Sequence, residues 1–128
     1  MDFDLDAYQW KNRIILIFAP SSDSDAYKQQ VQEFEGQEDG ILDRDLIIFQ
    51  IFKRGGSHSG NASISEHQAN QLRHKFGVKE GKFMIILIGK DGGVKLRSNG
   101  PVVAPELFSL IDGMPMRQEE MRTKGERQ

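Results

Sequence analysis

The chain contains no cysteine, and that absence removes a whole block of chemistry. No disulfide framework, thiolate nucleophile, CxxC redox pair or cysteine-based zinc or iron–sulfur site can form. Charge of one sign is also scarce. Lys and Arg number 17 against 19 Asp and Glu, a formal net charge of −2, so no global field recruits nucleic acid or anionic membrane. Long apolar runs are missing as well. The run Ile14 to Phe18 is shorter than the roughly 7–15 residues of a signal-peptide core and far below membrane-spanning length. Its N-terminal flank, MDFDLDAYQWKNR, is acidic where a signal sequence is basic. The expectation is a cytoplasmic chain with no nucleic-acid or membrane partner.

At 128 residues, with 38% hydrophobic and 28% charged residues, the chain has the size and composition of one soluble domain with a single core. The expected domain covers residues 1–128, with 1–10 as an N-terminal extension and 116–128 as a charged tail that frays from helix.

Arg13-Ile-Ile-Leu-Ile-Phe18 is continuously apolar and β-branched, the pattern of a strand covered on both faces. Turn formers follow at Ala19 to Asp25. Tyr27, Val31 and Phe34 then recur at i, i+4 and i+7, the stripe of an amphipathic helix, with Gln29, Gln30, Gln32, Glu33 and Glu35 on its other faces. Gly36 to Gly40 reads as an acidic loop, and Arg44 to Phe52 as a second buried strand. Lys53 to Ser63 is polar and rich in Gly and Ser, an expected exposed loop. Ser65 or Ser63 caps a second helix with Ala69, Leu72 and Phe76 inside and Gly77 at its end. Two strands flank Lys90-Asp91-Gly92-Gly93, a hairpin signal because Asp and Gly tolerate positive φ. A last helix starts near Pro105, buries Leu107, Leu110, Ile111 and Met114, and ends at Pro115.

The order is βαβ, helix, ββα. It predicts an α/β protein of thioredoxin-like fold, with a central mixed sheet flanked by helices. A βαβ crossover of this kind is right-handed.

Phe76-Gly77-Val78, Phe83 to Gly93 and Leu107 to Ile111 resemble the C-terminal half of thioredoxins. In that family a strand ending in FWA leads to the redox dithiol. Here Ile17-Phe18-Ala19-Pro20 leads to Ser21, Ser22, Asp23 and Ser24. Aligning on Lys90-Asp91-Gly92 puts Met84 at the place of the family's cis-proline. Several segments together carry a closer resemblance. They are Phe18-Ala19-Pro20-Ser21 with Asp23 or Asp25, Arg44-Asp45-Leu46, Leu87 to Lys95, Leu107-Phe108 through Ile111-Asp112, and Met114-Pro115-Met116-Arg117. From about Trp10 to Arg122 the chain resembles an uncharacterised thioredoxin-like domain family. That family includes stand-alone bacterial proteins and the repeated domains of vertebrate matrix proteins such as equarin and the sushi-repeat-containing proteins. The resemblance implies the fold and carries over no activity, and no cofactor is expected. For vertebrate members it implies a secreted adhesion or matrix role.

Ser21, Ser22, Asp23 and Ser24 sit where a strand end meets a helix N-terminus, a place that favours anions. Ser and Asp are also the preferred helix caps, and Asp23 and Asp25 repel an anion, so capping is the favoured reading. A serine nucleophile needs a positioned histidine, and His58, His67 and His74 come with no GxSxG elbow. His67 and His74 lie two helical turns apart, about 10 Å, too far for one metal. Gly55 to Gly60 lacks the Lys-Ser or Lys-Thr of a phosphate loop, and Asn61-Ala62-Ser63 matches a glycosylation acceptor. Lys11, Arg13, Lys53, Arg54, Lys90, Lys95 and Arg97 read as solvated charge. Phe3, Leu5, Tyr8 and Trp10 form either an extra strand or an apolar patch to which the tail from Met114 contributes.

The function expected from these features is that of a non-catalytic interaction module working through a protein partner or self-association. The alternative is a small-ligand or anion site at Ser21–Ser24 with Met84.

Overall fold

The computed structural model describes residues 5–60 and 62–126. The central strand β1 (Arg13–Ala19) is buried at all seven positions. Side chains alternate across a strand, so the continuous run divides between two cores. Ile14, Leu16 and Phe18 join one apolar cluster with Phe49, Ala69 and Leu72. Ile15 and Ile17 join another with Phe34, Leu107 and Ile111. Helices therefore cover both faces of the sheet.

Beside β1 runs β2 (Leu46–Phe52), parallel and in register from Arg13 opposite Leu46 to Ala19 opposite Phe52. The connection holds two helices, α1 (Asp25–Phe34) and α2 (Glu38–Asp43). On the other side of β1 lies β5 (Met84–Ile88), antiparallel, with Phe18 opposite Met84 and Ile14 opposite Ile88. A hairpin leads to β6 (Val94–Ser98). The short strands β3 (Ser57–Ser59) and β4 (Ala62–Ile64) complete the order β4-β3-β2-β1-β5-β6. After them, α3 (Glu66–Phe76) starts at a capping box of Ser65 and Gln68 and ends at Gly77 in the left-handed region, as such caps require. The chain closes with α4 (Ala104–Asp112) and α5 (Pro115–Glu126).

Several local expectations change. The acidic stretch after Gly36 is not all loop: Glu38 and Asp39 sit in the first turn of α2, where the helix dipole favours their charge. The polar Lys53–Ser63 segment contributes β3 and β4, Ser57 is buried, and its hydroxyl accepts a 2.9 Å bond from the Phe52 N–H. Consequently His58 lies in a strand opposite Gln50. Asn61 lies outside the described residues. On α4, Leu107 and Ile111 are buried, whereas Leu110 is 40% exposed. Pro115 opens α5 rather than ending α4. The N-terminal segment forms a 3-10 turn at Leu5–Tyr8 instead of a strand. Leu5 and Tyr8 pack on the first core, with Tyr8 edge-on to Phe49 at 5.7 Å. Phe3 lies outside the described residues.

Gln30 is the largest departure from the helical pattern. Assigned to a solvated face, it is fully buried. Its Nε2 donates to the Val102 carbonyl at 2.9 Å, and its Oε1 accepts from the Val102 N–H at 2.8 Å. The side chain thus satisfies both backbone groups of a residue leading into α4, as buried peptide groups require.

Candidate functional site

The two ends of β1 carry different chemistry. Its C-terminal end holds the region singled out from the sequence. There the parallel ladder runs on, with the Lys53 N–H donating to Ala19 O at 3.2 Å and the Arg54 N–H to Pro20 O at 2.9 Å. Ser24 caps α1 and accepts from the Tyr27 N–H at 3.5 Å, and the Ser21 hydroxyl accepts from the Asp23 N–H at 3.2 Å. Ser22 and Asp23 are exposed. Met84 starts β5 opposite Phe18, so it reaches the same end of the sheet. It borders a concavity of about 480 Å³ shared with Lys79, Lys82 and Phe83. The serines are not part of that lining. The fold brings Ser21–Ser24 and Met84 to one end without gathering them into one cavity.

The N-terminal end holds a cluster of charges. Arg13 opens β1 only 1% exposed, and Lys90, just beyond β5, is 8% exposed. Both bond Glu120 of α5. Arg13 reaches its carboxylate through two nitrogens at 3.0 and 3.1 Å, and Lys90 reaches it at 2.9 Å. Lys90 also meets Asp45 at 2.8 Å. A second node lies alongside. Arg44 forms a bidentate pair with Asp112, and Arg117 of α5 bonds Asp112 at 2.9 Å and Asp43 at 2.6 Å. Lys124 adds a contact to Asp43.

These partners move the carboxyl pKa values. Hydrogen bonds from Lys124 and Arg117 hold Asp43 down at about 2. Burial pushes Glu120 upward, but Arg13 and Lys90 outweigh it and leave the carboxyl below its ordinary range. Burial likewise opposes the downward shift of Asp112, which Arg44 and Arg117 impose. A buried cation is stable only when paired, and among the described residues Glu120 is the one carboxylate that bonds Arg13.

Above Arg13 and Lys90 opens a groove of about 370 Å³, walled by Trp10, Met114, Pro115 and Met116 and edged by Asp91 and Lys95, which pair with each other at 2.8 Å. Trp10 is 61% exposed. Its backbone takes a left-handed φ of 70°, held by a 2.6 Å bond from its N–H to the Lys90 carbonyl. Asp45, across the same cluster, has φ 53°. These are the two non-glycine residues with positive φ among those described, and such strain collects at functional positions. We favour this groove over the larger concavity because its walls are mainly apolar and its floor consists of buried charge.

Sequence reasoning placed Arg13 and Lys90 among solvated charges, and the structure corrects both. The Arg13 partner lies 107 residues away, beyond the reach of any local pattern. A charged residue opening a wholly buried strand was the available signal. The N-terminal patch is also narrower than expected, because only Trp10 of Leu5, Tyr8 and Trp10 is exposed.

Comparison with known proteins agrees with the architecture. The chain is 26% identical over 133 residues to coiled-coil domain-containing protein 80 of Danio rerio, covering 91% of this chain and 15% of that protein. To sushi repeat-containing protein SRPX2 it is 28% identical in Bos taurus, covering 91% of this chain and 26% of that protein. The human SRPX2 matches at 26%, covering 95% and 27%. The chain therefore spans about a quarter or less of these relatives. Among solved structures, the reduced 2-Cys peroxiredoxin of Plasmodium vivax superposes with a TM-score of 0.67 at 12% identity, covering 91% of this chain and 85% of that one. Thioredoxin peroxidase I of Plasmodium yoelii gives 0.66 at 14%, covering 90% and 79%. At such identities the likeness shows the fold alone, which is thioredoxin-like. Among the described residues no helix is long and apolar enough to cross a membrane. The expected cytoplasmic location finds no support in these relatives. Residues 4–120 match a family model across most of the chain, and the protein belongs to that family, described as Domain of unknown function (DUF4174).

Proposed function

We propose that the domain is a non-catalytic interaction module that engages a protein partner through the groove between Trp10 and the Met114–Met116 corner. One observation carries the reading: a tryptophan 61% exposed and held in a left-handed backbone stands at the mouth of an apolar-walled groove. Exposed aromatic and methionine side chains around a groove are the composition of binding hot spots, and single large hydrophobics elsewhere on a surface need no such explanation. Thiol–disulfide chemistry contributes nothing, since the chain has no cysteine. The vertebrate relatives favour an extracellular setting.

The test compares affinity capture by the wild-type chain, Trp10→Ala and Ser22→Ala. A partner held by wild type and Ser22→Ala but lost by Trp10→Ala supports the groove. Capture insensitive to Trp10→Ala sinks it.

A second reading has one observation in its favour. Lys79 and Lys82 line the concavity beside Met84, which suits a small anion at the end of the sheet where thioredoxins carry their dithiol, with Ser21, Ser22, Asp23 and Ser24 at the same end. Inorganic phosphate titrated against amide NMR shifts tests it. Saturable shifts confined to 77–84 and 21–24 would support it, and none would end it.

A further inference from the structure

We infer that Arg13 and Lys90 form a carboxylate receptor beneath the groove, filled within the chain by Glu120 and exchangeable for the carboxylate of an acidic, apolar-flanked peptide segment. This rests on the groove being the interaction surface. In that arrangement α5 is a strap over the partner's site, and the partner displaces it.

Three observations carry the inference. The first is the donor count. Arg13 and Lys90 are both more than nine-tenths buried. Lys90 has Asp45 as a second acceptor, while Arg13 has besides Glu120 the Arg44 carbonyl at 3.0 Å. The Arg13 Nε is buried and has no acceptor among the described residues. A charged donor without an acceptor is costly, so Glu120 leaves the Arg13 guanidinium incompletely satisfied.

The second is how α5 is held. Its sequence, PMRQEEMRTKGE, places apolar side chains only at Pro115, Met116 and Met121. Its tethers to β1, α2, α4 and the β5–β6 turn are mainly ionic, through Arg117, Glu120 and Lys124, with one neutral bond from Gln118 to the Asp112 carbonyl at 2.9 Å. A helix attached by charge belongs to the low-stability end of a fold. It does not simply lift away, because that would strand the Arg13 guanidinium in a dry site. Exchange of one carboxylate for another avoids the stranded charge.

The third is continuity. Arg13, Lys90 and Met116 line the same groove as Trp10, and Met116 belongs to the first turn of α5. Moving α5 widens the groove and uncovers the receptor together. An occupant with an apolar side chain beside a carboxylate sets the first against Trp10 and Met114 and the second on Arg13 and Lys90. Planar bidentate pairing to Arg rewards that geometry.

The chain has one tryptophan, so its fluorescence reports on the groove directly. The probe is an acetylated, amidated peptide alternating Asp with Phe and Leu; its control carries Asn for Asp. The expected result has four parts. The Asp peptide shifts Trp10 emission to the blue, and the Asn peptide binds more weakly. Hydrogen exchange in 115–125 accelerates on Asp-peptide binding. Glu120→Gln, which removes the competing charge, tightens Asp-peptide binding by about tenfold, the equivalent of one charge-assisted bond. Arg117→Gln loosens α5 at its other node and tightens binding as well, which keeps the test open where Glu120→Gln does not fold. Equal affinity for both peptides, unchanged in either variant, overturns the receptor and leaves the groove standing. Silence of Trp10 toward both peptides in the wild-type chain and both variants overturns the receptor and counts against the groove.

Discussion

Glu120 in the last helix closes a bidentate ion pair on Arg13, the first residue of the central strand, at 3.0 and 3.1 Å. The pair spans 107 residues of sequence, and one member is almost fully buried while the other is 21% exposed. Breaking a buried pair by deleting one partner costs roughly 3–5 kcal/mol. Because Glu120 keeps some solvent, the expected loss for Glu120→Ala is smaller, about 2–3 kcal/mol. Urea unfolding measures it. Lys124→Ala, at a pair exposed on both sides, should cost under about 1 kcal/mol. Equal losses in the two variants would contradict the assignment of burial.

Acid should loosen α5 before the core. Asp43, Asp112 and Glu120 all have carboxyls depressed below their ordinary values of 3.8 and 4.5. A group depressed in the folded state contributes stability above its unfolded pKa, and that contribution disappears as pH falls through the folded value. The affected window therefore runs from the ordinary carboxylate range downward, reaching about pH 2 for Asp43. Amide protection in 115–125 should fall across this window while β1 and β5 remain protected. Simultaneous loss everywhere would show that α5 is not a separate unit.

Gln30→Met keeps length and volume but removes both bonds to Val102. Two buried backbone groups then lack partners, each costing about 1–3 kcal/mol, so the variant should lose about 2–6 kcal/mol in denaturant unfolding. Gln29→Met, on the exposed side of the same helix, serves as the control and should change stability by less than about 0.5 kcal/mol.

Trp10→Gly separates binding from folding. The left-handed φ of Trp10 costs an L-residue roughly 1–2 kcal/mol, which glycine relieves at some cost in unfolded-chain entropy. Stability should stay within about 1 kcal/mol of wild type, while partner capture is lost. A fall of several kcal/mol would make Trp10 a packing residue.

Strands β1, β2 and β5 were legible because they are apolar runs that no charge interrupts, and β6 because Asp91-Gly92 marks the hairpin that leads to it, whereas the polar β3 and β4 read as loop. Cap chemistry at Ser24 and Ser65 was legible for the same local reason. The short helix α2 was not, since Glu38-Asp39-Gly40 has the composition of a loop, and its place comes from the packing of Ile41 on the second core and of Gly40 against the Phe108 ring. Gln30 was missed because its partners are backbone groups 72 residues away. The ionic floor of the groove escaped for a related reason. Arg13, Lys90 and Glu120 look like ordinary surface charge until the antiparallel pairing of β1 with β5 and the return of α5 bring them together.

The seven residues of β1 rise about 3.3 Å each, which separates its two ends by about 20 Å. The serine turn lies at one pole of the domain and the tryptophan groove at the other. A ligand seated in the tryptophan groove therefore leaves the serine turn uncovered, and substitutions at the two ends of β1 report on separate surfaces.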